Sequence, residues 1–494
     1  MSVVLGIDLG TSSVKALLID CERGVIGQAS QDYDVSIPIN GYAEQEPEMW
    51  WNATCKILLE LKEKYSDVFQ KIAAVGLSGQ MHGLVAVDRA GNPVRPAIIW
   101  LDQRSEEQVR ELQRRVSHNE IQNILQNEPF TGFAFPSLLW VREHEPEIYR
   151  QIDKIFLPKD YIRMKLTGKI ASDVTDAAST GCFDIGRRDW AYRIVEKFSV
   201  ESGLLPECHE STEVAGETTA ECMRQTGLAV GIPVIYGAGD QQCQGIGNGA
   251  DKEGIVISNI GTGGEISSYI DKDVFDPMMR THTFCHAVNR GYIIYGATLC
   301  SGMSLKWLKN NILKAASFEE LSKMASEIPA GSDGVIFLPH LTGERTPYMN
   351  PKAKGILFGL HLKHDSRYLA RAVMEGVVYS LKSTLEIFRG LGIQTNKIIA
   401  SGGAVSSPVW LQIQADIYEK PVVVSKIKEQ AALGAGILAA LGAGIFRSGA
   451  DYAHLIEMDK KVYFPNSKNA ECYRKAYAVF IELYQRNKDL FEKN

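Results

Sequence analysis

The sequence predicts an α/β protein made of two similar domains that face each other across a cleft. Three observations carry this. The chain, at 494 residues, exceeds one ordinary domain. Apolar runs of strand type alternate with segments of helical periodicity. A strand–Gly-Thr turn–strand unit also occurs twice, about half a chain apart.

The elements follow in order. Val3 to Ile7 and Val14 to Ile19 are apolar runs of strand type, and Gly24-Val25 follows the polar turn Cys21-Glu22-Arg23. From Glu48 to Lys64, Trp50, Trp51, Ile57, Leu58 and Leu61 fall at roughly helical spacing, with Pro47 suited to a first turn. Strand-like runs return at Ile72 to Leu77 and Leu84 to Asp88. The segment Gly6-Ile7-Asp8-Leu9-Gly10-Thr11-Ser12 recurs as Ile257-Ser258-Asn259-Ile260-Gly261-Thr262-Gly263. Each copy follows an apolar strand and leads into another. The boundary is therefore expected near Gly245 to Gly254, dividing residues 1–247 from 248–494. Ala431 to Ile445, rich in Ala and Gly, suits a helix pressed closely against a sheet and is too short for a bilayer. Asn469 to Phe491 reads as a helix without indicating its domain.

A formal net charge of -6, with no block of like charge, argues against nucleic-acid or anionic-membrane partners. The nine cysteines are scattered, without a C-x-x-C pair, as in a reducing compartment. No basic, apolar leader opens the chain, so a cytoplasmic soluble protein is expected.

Three segments carry chemistry. In Asp8-Leu9-Gly10-Thr11-Ser12, glycine leaves backbone N–H groups unshielded for an anion, while Thr11 and Ser12 add hydroxyls and Lys15 a cation. Asp8, at a strand end, can hold a divalent ion against the same phosphates. One such turn alone would read first as an ordinary hairpin with an Asp cap. The second copy favours a phosphate clamp, although Asn259 replaces its acid. Next, Val234 to Gln242 runs a strand into a Gly-x-Gly loop that lifts Asp240 off the sheet edge at the domain junction. A carboxylate there suits the base of a phosphoryl transfer, a helix-capping Asp being the structural alternative. Finally, Ser401-Gly402-Gly403-Ala404-Val405-Ser406-Ser407 joins a strand to a helix, where a nucleotide can lie against bare backbone.

Several motifs in register then resemble a known family. They are Asp8-Leu9-Gly10-Thr11, Gly79-Gln80-Met81-His82-Gly83, Trp100-Leu101-Asp102-Gln103-Arg104, Leu157-Pro158-Lys159-Asp160-Tyr161, Gly237-Ala238-Gly239-Asp240, Gly343-Glu344-Arg345-Thr346-Pro347 and Gly402-Gly403-Ala404. Over nearly the whole chain they resemble the FGGY carbohydrate kinases, nearest to the xylulokinase branch. The resemblance implies two ribonuclease-H-like domains, the actin-type ATPase arrangement, closing on a sugar and Mg-ATP. It implies Asp240 as general base, Asp8 as the acid near Mg²⁺, and Gln80, Met81, His82 and Gln241 beside Asp240 in the sugar pocket. ATP would lie against Gly10, Thr11, Ser12, Gly261, Thr262, Gly263, Gly302, Gly402, Gly403 and Ser407.

Departures are Gln241, where many xylulokinases carry Asn, and Ser401 and Val405 in the glycine loop. His82 stands where glycerol kinases carry an acid. Neither pocket segment contains an arginine, which disfavours an aldonate. The expected reaction is phosphorylation of D-xylulose to D-xylulose 5-phosphate. Another ketose, gluconate or glycerol is the alternative acceptor, and a catalytically dead sugar-binding protein the alternative class. The pair Glu344-Arg345 reads as an ion pair bracing the cleft or as substrate contacts, and Asp102 and Arg104 are open in the same way. Self-association into a homodimer is left open.

Overall fold

The structure is a computed structural model that describes residues 2–493. Five strands make the centre of its first sheet: β1 (Val3–Leu9), β2 (Ser13–Asp20), β3 (Gly24–Asp32), β4 (Ile72–Gly79) and β5 (Pro233–Ile235). β1 to β3 form an antiparallel meander, and β4 and β5 add in parallel on the other side, giving the order β3-β2-β1-β4-β5. Central β1 is buried at every residue but Asp8, so its run of Val, Leu and Ile reads without alternation.

The second sheet repeats the plan with β6 (Gly254–Ile260), β7 (Gly264–Ile270), β8 (Tyr292–Thr298), β9 (Thr395–Ser401) and β10 (Val422–Val424). Its order is β8-β7-β6-β9-β10, with β9 and β10 parallel to β6. The strand order and directions match the first sheet, and the two Gly-Thr turns occupy the same β1–β2 and β6–β7 connection. One further strand flanks each sheet, Val214–Glu217 beside β5 and His282–Cys285 beside β8.

The helix Pro47–Lys64 starts with Pro at its first turn, carries Glu48 there and Lys62 and Lys64 at its end, and buries Trp50, Trp51, Ile57, Leu58 and Leu61. The run expected as a strand at Leu84 to Asp88 is one only at Val85–Val87. It pairs outside the main sheet with Lys154–Phe156, because His82, at φ 74, turns the chain away after β4.

The Ala/Gly-rich segment is the helix Gln430–Gly442, and it presses on the first sheet rather than the second. A Cβ on Gly6 would collide with the carbonyl oxygen of Ala432, and one on Gly76 with that of Ala435, so backbone meets backbone along this seam. Val4, Ile19, Ala74 and Ile235 of the first sheet share one apolar cluster with Leu433, Ile437 and Leu438. The last helix, Ser467–Phe491, packs in the second half of the chain, where Asn469 donates to Asp416 at 2.7 Å. Among the described residues, no helix is long and apolar enough to cross a membrane.

Candidate active site

The end of β1 delivers Asp8 to the edge of the sheet. Its Oδ1 accepts from Ser78 on neighbouring β4 at 2.7 Å. Lys15, across the β1–β2 register from Asp8, is held by Glu429 at 2.6 Å. Burial pushes the Asp8 carboxyl above its usual range, against the pull of the Ser78 hydroxyl and Lys15. The turn itself is braced: Gly10 N–H donates to Ser13 at 2.9 Å, and Gln45 donates to the Thr11 carbonyl at 2.8 Å.

Asp240 opens the helix Asp240–Gly247, directly after Ala238–Gly239 has paired with the end of β4. Its carboxyl faces a cavity of about 330 Å³ with Met81, His82 and Gln241 around it. Burial first, then the Asp8 and Glu265 carboxylates, push it up to about 8. A carboxyl held near neutral pH has the proton affinity a general base requires.

The cavity joins the two halves of the chain. Thr11, Trp100, Phe130 and Phe133 come from the first, and Glu265, Tyr295 and Arg345 from the second. His82 stacks on Phe133 with ring centroids 4.5 Å apart, and its Nδ1 lies 2.9 Å from the Ser179 carbonyl. Nδ1 therefore carries the proton, and burial lowers the ring to about 4, so Nε2 is left as an acceptor. Gln80, expected in this pocket, does not line it. Its amide donates to Gln45 at 2.9 Å beneath the Thr11 turn, and its backbone N–H to Leu9.

Glu344 and Arg345 do not form the expected ion pair with each other. Glu344 is buried against His340, the N–H of Leu299 and Ser380. The Arg345 guanidinium instead turns into the cavity, 5.0 Å over Phe130 and 2.9 Å from His282 Nε2. Arg345 thus brings to the cavity the arginine that neither pocket segment contains. It arrives from a loop more than a hundred residues beyond Asp240. Asp102 and Arg104 bond to one another and to Ala43 and Glu44, and Asp102 also lines the cavity. Glu265 was not singled out in the sequence. The signal present there is an acid set directly after the second Gly-Thr turn, in an otherwise uncharged strand.

A second cavity, of about 690 Å³, lies in the C-terminal half. Gly261, Thr262, Gly302, Gly403 and Ser407 line it, with Met303, Phe318 and Trp410 as apolar wall. Gly263 and Gly402 flank it without lining it; Gly402, at φ 78, packs against Ile260 and Asn259. Of the first turn, Thr11 faces the smaller cavity, where Trp100 donates to its hydroxyl at 2.9 Å. Gly10 and Ser12 line neither cavity.

Behind Asp240 lies a buried charge cluster. The Lys159 ammonium sits 2.7 Å from Asp160, 2.7 Å from Asp173 and 2.9 Å from Asp176. Arg163 adds a second cation, 2.6 Å from Asp160. Burial pushes Asp176 well above the usual carboxylate range, against the pull of the Lys159 ammonium. Asp173 also accepts from the Thr175 hydroxyl at 2.6 Å. The three acids thus enclose an internal cation.

Comparisons with known proteins agree with this geometry. The model of the FGGY carbohydrate kinase N-terminal domain matches residues 3–247, and that of the C-terminal domain matches residues 260–443. The chain is 35% identical to the xylulose kinase of Lactococcus lactis, covering 99% of this chain and 98% of that protein. It is 28% identical to the gluconokinase of Bacillus subtilis, over 98% and 95%. Among solved structures, the ligand-bound xylulose kinase of Lactobacillus acidophilus superposes with a TM-score of 0.94 at 27% identity, covering all of both chains. The two matching sheets, the cleft-facing carboxylates and these full-length likenesses make the chain a member of the FGGY family of carbohydrate kinases, an enzyme that phosphorylates a sugar.

Proposed function

We propose that the protein transfers the γ-phosphate of ATP to the primary hydroxyl of D-xylulose, giving D-xylulose 5-phosphate. The observation that carries this is Asp240, a carboxyl poised near 8 on a cavity of sugar size, with no cation in contact among the described residues. Its proton affinity lets it take the hydroxyl proton as the oxygen attacks phosphorus. His82 Nε2 accepts from a hydroxyl further along the chain, while the Gln241 amide can donate to another.

ATP lies along the larger cavity, its base against Met303, Phe318 and Trp410 and its phosphates toward the backbone of Gly261 and Thr262. A hard divalent ion fits the donors present, because Asp8 and Asp240 supply carboxylate oxygens that burial leaves undercompensated. Asp8 would hold Mg²⁺, which when bound neutralises charge on the phosphates. Closure of the halves excludes water and aligns donor and acceptor. The setting is the cytoplasm, consistent with nine free cysteines.

Arg345 favours a second reading, an aldonate acceptor such as gluconate. A coupled ADP-release assay over D-xylulose, D-ribulose, D-gluconate and glycerol decides between them. D-xylulose is expected to give the highest kcat/KM, and a higher value for gluconate would reverse the assignment.

A further inference from the structure

We propose that Glu265 sets the charge class of the acceptor. With Arg345 it makes the cavity a site for neutral polyhydroxy sugars and turns away sugars bearing a carboxylate. The inference rests on reading the cavity beside Asp240 as the acceptor site.

One residue brings the two together. Glu265 on β7 pairs with Ala297 on β8. The loop carrying Arg345 is fastened to that same Ala297: Thr346 N–H donates to its carbonyl at 2.9 Å, and its own N–H donates to the Thr346 hydroxyl at 3.2 Å. Both side chains line the cavity.

Arg345 is set up to meet a ligand. One Nη donates to His282 Nε2, whose other nitrogen faces Asn127 Oδ1 at 3.2 Å, so the contact is to a neutral ring. Its Nε is buried without an acceptor. Among the described residues, no carboxylate oxygen lies within 4.0 Å of the guanidinium. Alone, such a cation would draw a substrate carboxylate.

Glu265 opposes that. It lies within electrostatic reach of Arg345, with Asn259 as its register partner on β6 and Gln241 lining the same cavity. Opposite charges that form no ion pair with each other leave a neutral ligand free to donate a hydroxyl to Glu265 and accept from the Arg345 guanidinium. An aldonate carboxylate would instead meet Glu265 beside Asp240. Discrimination then comes from a repulsive group as well as an attractive one.

Isothermal titration of D-gluconate and D-xylulose tests this on the wild type, Glu265→Gln, Arg345→Gln and the double variant. Glu265→Gln is isosteric and should shift the ratio of the two Kd values toward gluconate by roughly tenfold or more. Arg345→Gln should shift it the other way, and the double variant should lose the gain. Glu265→Asp keeps the charge and should stay nearer the wild-type ratio, which separates a packing defect from a charge effect. A ratio in Glu265→Gln within about threefold of the wild type would overturn the proposal, as would a gain that survives loss of Arg345. Failure of the wild type to turn over D-xylulose would refute the proposed reaction, while the binding ratios would still decide the role of Glu265.

Discussion

The backbone N–H of Gly239 donates to the hydroxyl of Thr175 at 2.9 Å, which ties the residue before Asp240 to the buried charge cluster. The linkage runs from Lys159 through Asp173 to Thr175 and on to Gly239. Thr175→Val keeps the shape and removes the acceptor. It should lower kcat by about tenfold as Asp240 loses its setting, at a stability cost of ~1–3 kcal/mol. Steady-state rates beside urea unfolding check this; an unchanged kcat would leave the cluster a purely structural element.

Lys159→Met should be far more damaging to stability than to any single contact. It strips the ammonium from Asp160, Asp173 and Asp176 while all three remain buried. Removing one partner from a buried charged group costs about 3–5 kcal/mol, readable as a lower midpoint in urea.

The pH dependence follows from Asp240. Its carboxyl titrates near 8 in the folded protein and near 3.8 when unfolded, so the native state binds the extra proton between those values. Stability from this group therefore falls as pH rises from about 4 to 8. Activity runs the other way, since the free enzyme's base is ionised only above its pKa. The kcat/KM profile should rise through about pH 8. Asp240→Asn should lose ~10²–10⁴ in kcat and flatten the fall in melting temperature with pH. Asp8 and Glu265, also raised by burial, add to the same slope in the wild type.

Asp8→Asn preserves an acceptor for Ser78 but removes the charge at the first turn. The magnesium concentration for half-maximal rate should rise by roughly 10–100-fold. A magnesium titration that overlays the wild type would exclude Asp8 from holding the ion.

Much of the fold was legible because it is local. The apolar runs of β1 and β2, the helix after Pro47 and the two Gly-Thr turns each follow from neighbours in sequence. Two features were not. The helix Gln430–Gly442 announces by its Ala and Gly content that it packs tightly, but its partner sheet begins more than four hundred residues earlier. Arg345 has the same difficulty: an ion pair with adjacent Glu344 is the natural local reading. The structure gives Glu344 to His340 and sends Arg345 across the cleft toward groups far away in sequence. Gln80 erred in the opposite sense. It sits between Gly79 and Met81 at the pocket, yet just past the end of β4 its amide turns to Gln45.

The seam where Gly6 and Gly76 meet Ala432 and Ala435 also bears on how the chain is made. The first sheet leaves the ribosome early, but the helix that covers Val4, Ile19, Ala74 and Ile235 follows only when residue 442 has emerged. At ordinary synthesis rates of about 5–20 residues per second, that apolar face waits roughly 10–40 s after the first half is complete. A fragment ending at residue 247 would keep the face uncovered for good and should clump or be captured by chaperones. Supplying the second half in trans should rescue it. The halves resemble one another, yet the first is covered only by a helix from the second, and the newborn chain is most exposed while its first half waits for it.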